Sequence, residues 1–360
     1  MLLTITVAFI ALMGLVVLHE FGHFIMAKRF GVLVEEFGVG LPPRVLGKKI
    51  GETIYSINLL PFGAFVKLYG EEENIKNPLS FSAKPIWQRA VIVLAGVISF
   101  WIISAILLSF IQWSGFPQTI SDEAGQNLTN PRVQIITVAK DSPAEKAGLK
   151  IGDTIEKLSI DNQQLTVTKV KEVQEFTEQH KGREVVLIIK RGKETFNASL
   201  VPRISPPEKE GAIGIALART AIVRYLWYQA PLQGILMTGN LTIIVIQGWG
   251  QAISNAIQGQ PTGVQIIGPV GIFGLLTDIS QLGINYFLNF IAVISIYMAL
   301  LNILPIPAFD GGKLMFLLIE KIRGKPIPVA IEQRVTAFFF IALIALMIFV
   351  TFKDIQRFFF

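Results

Sequence analysis

Two histidines four residues apart, with a glutamate beside the first, lie in LMGLVVLHEFGHFIMAKRF at positions 12–30. On a helix His19 and His23 share one face, so their imidazoles can bind a single metal ion. Glu20 can reach a water on that ion, the HExxH pattern in which the glutamate is general base and not ligand. Zinc lowers the pKa of such a water to about 7, giving hydroxide at neutral pH. The surroundings support this chemistry. The run is otherwise apolar, and an ionisable group at the centre of a bilayer costs roughly 2.5 kcal/mol or more. The chain holds only three histidines, and two of them are here. A merely packed, hydrogen-bonded pair is the weaker explanation.

A catalytic zinc site takes three protein ligands and keeps a fourth position open. Cysteine is absent, which excludes a thiolate site and a disulfide framework, and His180 falls in a distant polar region. The carboxylates that remain are Glu35, Glu36, Glu52 and Asp310. The first three lie in a basic loop and have ordinary surface explanations. Asp310 stands in LLNILPIPAFDGGKL, where Pro305 and Pro307 and then Gly311 and Gly312 break an apolar run. Backbone that stops being helical at membrane depth must be buried in protein or line a water-filled cavity.

The elements that must position these groups are membrane helices. The 360 residues are 52% hydrophobic and 16% charged, with a mean hydropathy of +0.55, whereas soluble domains carry charge on about a quarter of their residues. The net charge of +6 is scattered, with no aromatic-basic pattern for nucleic acid. Apolar segments at Leu2 to Ala27, Ala90 to Trp113, Ile284 to Leu304 and Thr336 to Phe352 have the length of transmembrane helices. The first lacks a cationic flank and a cleavage site, so it reads as a retained helix and not a signal peptide. Nine Lys and Arg residues between Lys28 and Arg89, and five between Lys313 and Arg334, predict that both loops are cytoplasmic. The N-terminus and the 114–283 insertion then lie outside. If Asp310 is to meet the histidines, the Ile284 helix must run inward, so the uncharged stretch Tyr225 to Thr277 must cross an even number of times. It is expected to be interfacial or re-entrant, with Gln260 on the outer side.

Residues 131–218 change character. RVQIITV and EVVLIIK read as strands, and SPAEKAGLKIGDTI as a short helix with Ser142 as N-cap, Pro143 at N1, Glu145 closing a capping box and Gly148 ending it. A second helix is predicted from about Val170 to His180, followed by a hairpin at RGK 191–193 and a last strand at AIGIAL. The order and spacing of these elements resemble a PDZ domain. That resemblance implies a circularly permuted arrangement with a peptide-binding loop and strand at Ile213, Gly214 and Ile215.

HEFGH and NILPIPAFDGG together resemble the site-2 protease family of intramembrane zinc metalloproteases, matching its HExxH and Asn-x-x-Pro-x-Pro-x-x-Asp-Gly elements. Phe309 stands where leucine is commonest. The resemblance covers essentially the whole chain, and a single PDZ-like module suits shorter bacterial or plastid members. It implies one Zn2+ per chain held by His19, His23 and Asp310, with Glu20 as base and Asn302 orienting substrate or stabilising the oxyanion. It also makes residues 52–70, ETIYSINLLPFGAFVKLYG, a membrane-associated β-hairpin beside the active site, with Gly38 and Gly40 in a nearby loop that binds substrate.

The fold class expected is a polytopic α-helical membrane protein of about four transmembrane helices, with that β-hairpin loop and one inserted PDZ-like α+β domain. Its parts are a membrane half at 1–114, the PDZ-like domain at 115–218, an interfacial or re-entrant segment at 219–283, and a second membrane half at 284–360. The function expected is regulated intramembrane proteolysis of single-span membrane proteins already cut by another protease. The setting is the lipid bilayer of a bacterial inner membrane or its organellar equivalent, with the active site toward the cytoplasm. A non-catalytic PDZ scaffold with structural metal is the alternative, and a divalent-metal transporter ranks last because charges concentrate at one site.

Overall fold

A computed structural model describes residues 2–73, 75–123, 129–161, 163–192, 194–207, 210–262, 267–281 and 283–359. The chain divides into two compact units, Met1–Ile111 with Tyr228–Phe360, and Gln112–Trp227. In chain order the elements begin with α1 (Leu2–Arg29), β1 (Val34–Ile50), β2 (Thr53–Leu68) and α2 (Ile86–Ser114). Then come β3 (Phe116–Thr119), β4 (Thr129–Val138), α3 (Pro143–Lys146), β5 (Thr154–Ile160), β6 (Gln163–Thr166), α4 (Val170–Gln179), β7 (Val185–Arg191), β8 (Glu194–Leu200) and β9 (Ile215–Val223). The last are α5 (Ala230–Ile257), α6 (Pro269–Gln281), α7 (Ile284–Ile303), α8 (Asp310–Arg323) and α9 (Val329–Phe359).

Five helices, α1, α2, α5, α7 and α9, are long and apolar enough to cross a membrane. The hydropathy pattern suggested about four, and α5 is the addition. Its Gln, Asn and Gly residues dilute the apolar signal, but Gly234 serves close packing. A Cβ on Gly234 would lie 2.1 Å from Ser109 Oγ, so α5 approaches α2 backbone to backbone. Farther along, Trp101 Nε1 donates to Thr242 Oγ1 at 3.2 Å, and Trp249 lies against Tyr297. Thus α5 runs antiparallel to α2, from its C-terminal end toward its N-terminal end. The short α6 packs against α1, α7 and α9. Its Gly271 N–H donates to the buried Asp354 carboxylate at 2.8 Å, an anion set at a helix N-terminus.

Leu276 joins Ala8, Leu15, Val97, Phe100, Phe287, Ile291 and Ala299 in one apolar cluster. Within it Ser295 Oγ donates to the Phe100 carbonyl at 2.7 Å, satisfying a hydroxyl that lipid could not. Helix α7 stops at Ile303 because Pro305 cannot supply the next ladder N–H. The chain turns and restarts as α8 at Asp310, which ends at Gly324 in the left-handed conformation.

The strands of this unit differ from the hairpin expected at 52–70. β2 pairs with β1, and the turn between them is at Gly51 and Glu52. The register folds back on itself: Phe37 pairs with both Val66 and Tyr55, and Gly38 with both Phe65 and Ser56. Residues 34–39 therefore lie between 54–57 on one side and 64–68 on the other. Pro42, Pro43 and Pro61 lack ladder donors and fall where the two long strands bend. Gly38 and Gly40 lie inside β1, not in a loop. Gly38 is required there by close packing, since a Cβ would meet the Phe65 ring at 2.4 Å.

The second unit is a seven-stranded sheet in the order β3-β9-β4-β5-β7-β8, with β6 on β5. Val185, Leu187 and Ile189 of β7 alternate inward to a core with Val133, Ile135, Ile155 and Leu158, all fully buried. Ser142 Oγ caps α3 by accepting from Glu145 N–H at 3.1 Å. The Glu145 carboxylate accepts from Asp141 N–H, one residue before the box predicted. Asp153 is buried and held by Arg191 at 2.7 Å on both oxygens, which is why the Gly-Asp pair matters to this unit. Lys193 of the expected turn lies outside the described residues, and Arg191 pairs with Glu194 across it.

Candidate metal centre

His19 and His23 project from one face of α1, six or more residues before its end at Arg29. The turn between α7 and α8 delivers Asp310 to the same place. Asp310 Oδ2 is 3.2 Å from His19 Nε2 and 3.4 Å from His23 Nε2, and the two Nε2 atoms are 3.3 Å apart. His23 Nδ1 donates to the Ile92 carbonyl at 2.9 Å, which fixes the tautomer and leaves Nε2 without its proton. The Nε2 atoms of both histidines thus converge on Asp310 Oδ2, a buried atom with no hydrogen-bond partner. Zinc bonds of 2.0–2.1 Å in a tetrahedron place adjacent ligand atoms about 3.3 Å apart. The observed triangle has that size, and these three residues form a group that could hold one metal ion.

The support around the triangle comes from α2. The His19 ring stacks on Phe100 with centroids 4.6 Å apart and planes at 14°. Gly96 faces His23, and a Cβ there would lie 2.2 Å from its Cε1 and Nε2. One turn above, a Cβ on Gly22 would strike the Ala95 carbonyl at 2.5 Å, so α1 and α2 touch only because both positions lack a side chain. Gly22 stands inside HEFGH, but nothing in the sequence marks Gly96 among the other small residues of an apolar helix.

Glu20 lines a small cavity of about 80 Å³ with His23, Val66, Leu68, Glu71, Ile92, Val93, Asp310 and Lys313. The end of β2 therefore borders the same space as the prospective base. The Asn302 amide donates to the Met298 carbonyl at 2.9 Å within α7. Of the other acidic candidates, Glu52 lies exposed in the turn between β1 and β2, and Glu35 and Glu36 are paired within the sheet. Glu35 pairs with Lys67 at 2.8 Å. Burial would raise the Glu36 carboxyl, but hydrogen bonds from Ser56 and Arg44 hold it below the usual range.

In the second unit, Ile213 and Ile215 line a cleft of about 300 Å³ with Val173 and Thr177 of α4 and Leu217 of β9. Gly214 sits between them at φ +75°, a left-handed backbone that suits glycine, and its carbonyl accepts from Ala139 N–H.

Residues 7–346 match the family described as Peptidase family M50. A protein of Clostridium perfringens with zinc metalloprotease in its name is 32% identical over 97% of both chains. The regulator of sigma-W protease RasP of Bacillus subtilis is 28% identical across the full length of both. The PDZ domain of an SdrC-like protein from Listeria monocytogenes aligns to 26% of this chain and 93% of that one, at 24% identity and a TM-score of 0.22.

Proposed function

The chain belongs to peptidase family M50 and is a zinc-dependent intramembrane protease, and we propose that His19, His23 and Asp310 hold its one zinc ion while Glu20 is the general base. The observation that carries this assignment is the 3.2–3.4 Å triangle of His and Asp ligand atoms inside the helix bundle. When bound, zinc supplies Lewis acidity toward the scissile carbonyl and acidifies water at neutral pH. Glu20 takes the proton from the attacking water and delivers it to the leaving amide nitrogen. Phe100 and Ile92 hold the two imidazoles in their working orientation. Asn302 would have to release Met298 to orient substrate or an oxyanion.

A peptide bond within a membrane helix is shielded by the helix's own hydrogen bonds, so the substrate must be unwound and held extended. Adding it as a strand to a sheet edge does this through main-chain hydrogen bonds. Residues 64–68 pair on one side with 34–39, and Val66 and Leu68 border the Glu20 cavity. We assign the open edge of 64–68 as the place of addition, with Gly38 and Gly40 shaping the strand behind it.

The substrates are single-span membrane proteins trimmed beforehand by another protease, as befits a relative of a regulator of sigma-W protease. The Gln112–Trp227 unit acts as a PDZ-like module, with Ile213, Gly214 and Ile215 at its peptide-binding loop. The basic loops after α1 and α8 favour an active site toward the cytoplasm and an N-terminus outside. With α5 as a fifth crossing, Gln260 falls on the cytoplasmic side. The outer placement, argued from the basic loops and the need for Asp310 to meet the histidines, is the alternative. Comparative membrane proteomics of wild type against Glu20→Gln tests the function. The substitution should lower cleavage by about 10²–10⁴-fold with zinc retained, so single-span fragments accumulate. Equal fragment levels would sink the assignment.

A further inference from the structure

Lys313 lies three residues beyond Asp310, so both project from one face of α8. Both border the Glu20 cavity, and so does Glu71, whose carboxylate pairs with the Lys313 ammonium. Glu71 stands just past the end of β2, in a turn closed by its own N–H to the Leu68 carbonyl. The turn is well supported: Tyr69 N–H donates to Leu33 at 2.9 Å, and Phe81 N–H donates to Tyr69 at 2.8 Å. The Glu71 carboxylate is therefore offered from a fixed base. Among the described residues, this is the one ion pair joining α8 to the strand-bearing segment; the others on α8 tie Asp310 to His19 and His23 of α1 and Glu320 to Arg89 of α2.

We propose that Lys313 is a positioning residue for peptide cleavage, and that the Lys313–Glu71 pair sets the register between the strand edge at 64–68 and the His19–His23–Asp310 site. The inference rests on the peptidase assignment for that site. A partly exposed pair adds little to global stability. Its leverage is geometric, because the substrate is held on one element and the reacting groups on another. A misplacement of about 1 Å can lower a rate by about 10²-fold.

The test uses full-length, zinc-loaded protein and a single-span substrate in proteoliposomes. Lys313→Met and Glu71→Gln should each lower kcat by roughly 10–100-fold. KM should stay within about 3-fold, because strand addition itself persists. Zinc content should not change, and Lys313→Arg should retain most activity. The double variant should be no slower than the worse single one, since the two side chains act through each other. Amide exchange at residues 64–71 should quicken in both single variants. Multiplied losses in the double variant, zinc loss in either single one, or unchanged exchange would each overturn the proposal. The exchange arm needs no turnover: a wild-type protein that fails to cleave counts against the peptidase assignment, while exchange still judges the clasp.

Discussion

At the scale of single residues, the metal triangle depends on what is missing as much as on what is present. His23 occupies the volume where a Gly96 side chain would stand, with only 2.2 Å to spare for a Cβ. Gly96→Ala must push the His23 ring away from Ile92 and out of the triangle. We expect zinc affinity to fall by about 10–100-fold, the range seen when an orienting partner is lost, while the helices remain assembled. Metal content after dialysis against a graded chelator, read beside circular dichroism, checks this. Retained zinc with ordinary helicity would show that the ring tolerates the methyl group. Glu20→Gln should behave oppositely, keeping metal and losing cleavage, because it removes a proton acceptor and not a ligand.

At the scale of elements, the ion pairs differ in worth according to how far water reaches them. Arg89 and Glu320 meet in a two-pronged contact between the start of α2 and the middle of α8, with side chains 11% and 17% exposed. Lys67 and Glu35 meet on the sheet with side chains 65% and 35% exposed. Removing one partner of a buried pair strands the other and costs about 3–5 kcal/mol. An exposed pair is worth about 0–1 kcal/mol. Arg89→Ala should therefore lower the thermal midpoint of the detergent-solubilised protein clearly, and Lys67→Ala hardly at all. Equal shifts would mean that Arg89 is better hydrated than its packing indicates. Glu35 and Glu36 stand in β1, where Lys67, Arg44 and Ser56 are their partners, and not among the His19, His23 and Asp310 group.

At the scale of the whole molecule, the two units offer separate tests. The Gln112–Trp227 unit has its own apolar core, so it should fold alone and unfold cooperatively in urea. Leu187 is fully buried at the centre of that core, and Leu187→Ala should cost about 2–5 kcal/mol there. A loss below about 1 kcal/mol would show that the site collapses around the smaller side chain. For the helical unit, a compartment reporter at Gln260 should map to the same side as Arg29, because α5 descends along α2 toward the metal end. A reporter on the opposite side would return the segment to an interfacial position.

By itself the sequence determined the chemistry: HEFGH and the Asp310 turn are local patterns whose residue types announce metal binding wherever they fold. Four of the apolar helices and the α3 cap were legible for the same reason, since helix periodicity and capping are local. The α5 helix was masked by its glycines and polar residues, of which Gly234 and Thr242 meet α2. The refolded register of β1 and β2, the steric role of Gly96 and the Lys313–Glu71 contact were decided only in three dimensions. The strand partners, such as Phe37 with Tyr55 and Val66, are well apart in sequence, Gly96 and His23 are farther apart, and Lys313 and Glu71 are 242 residues apart; such contacts leave no periodic trace in a chain.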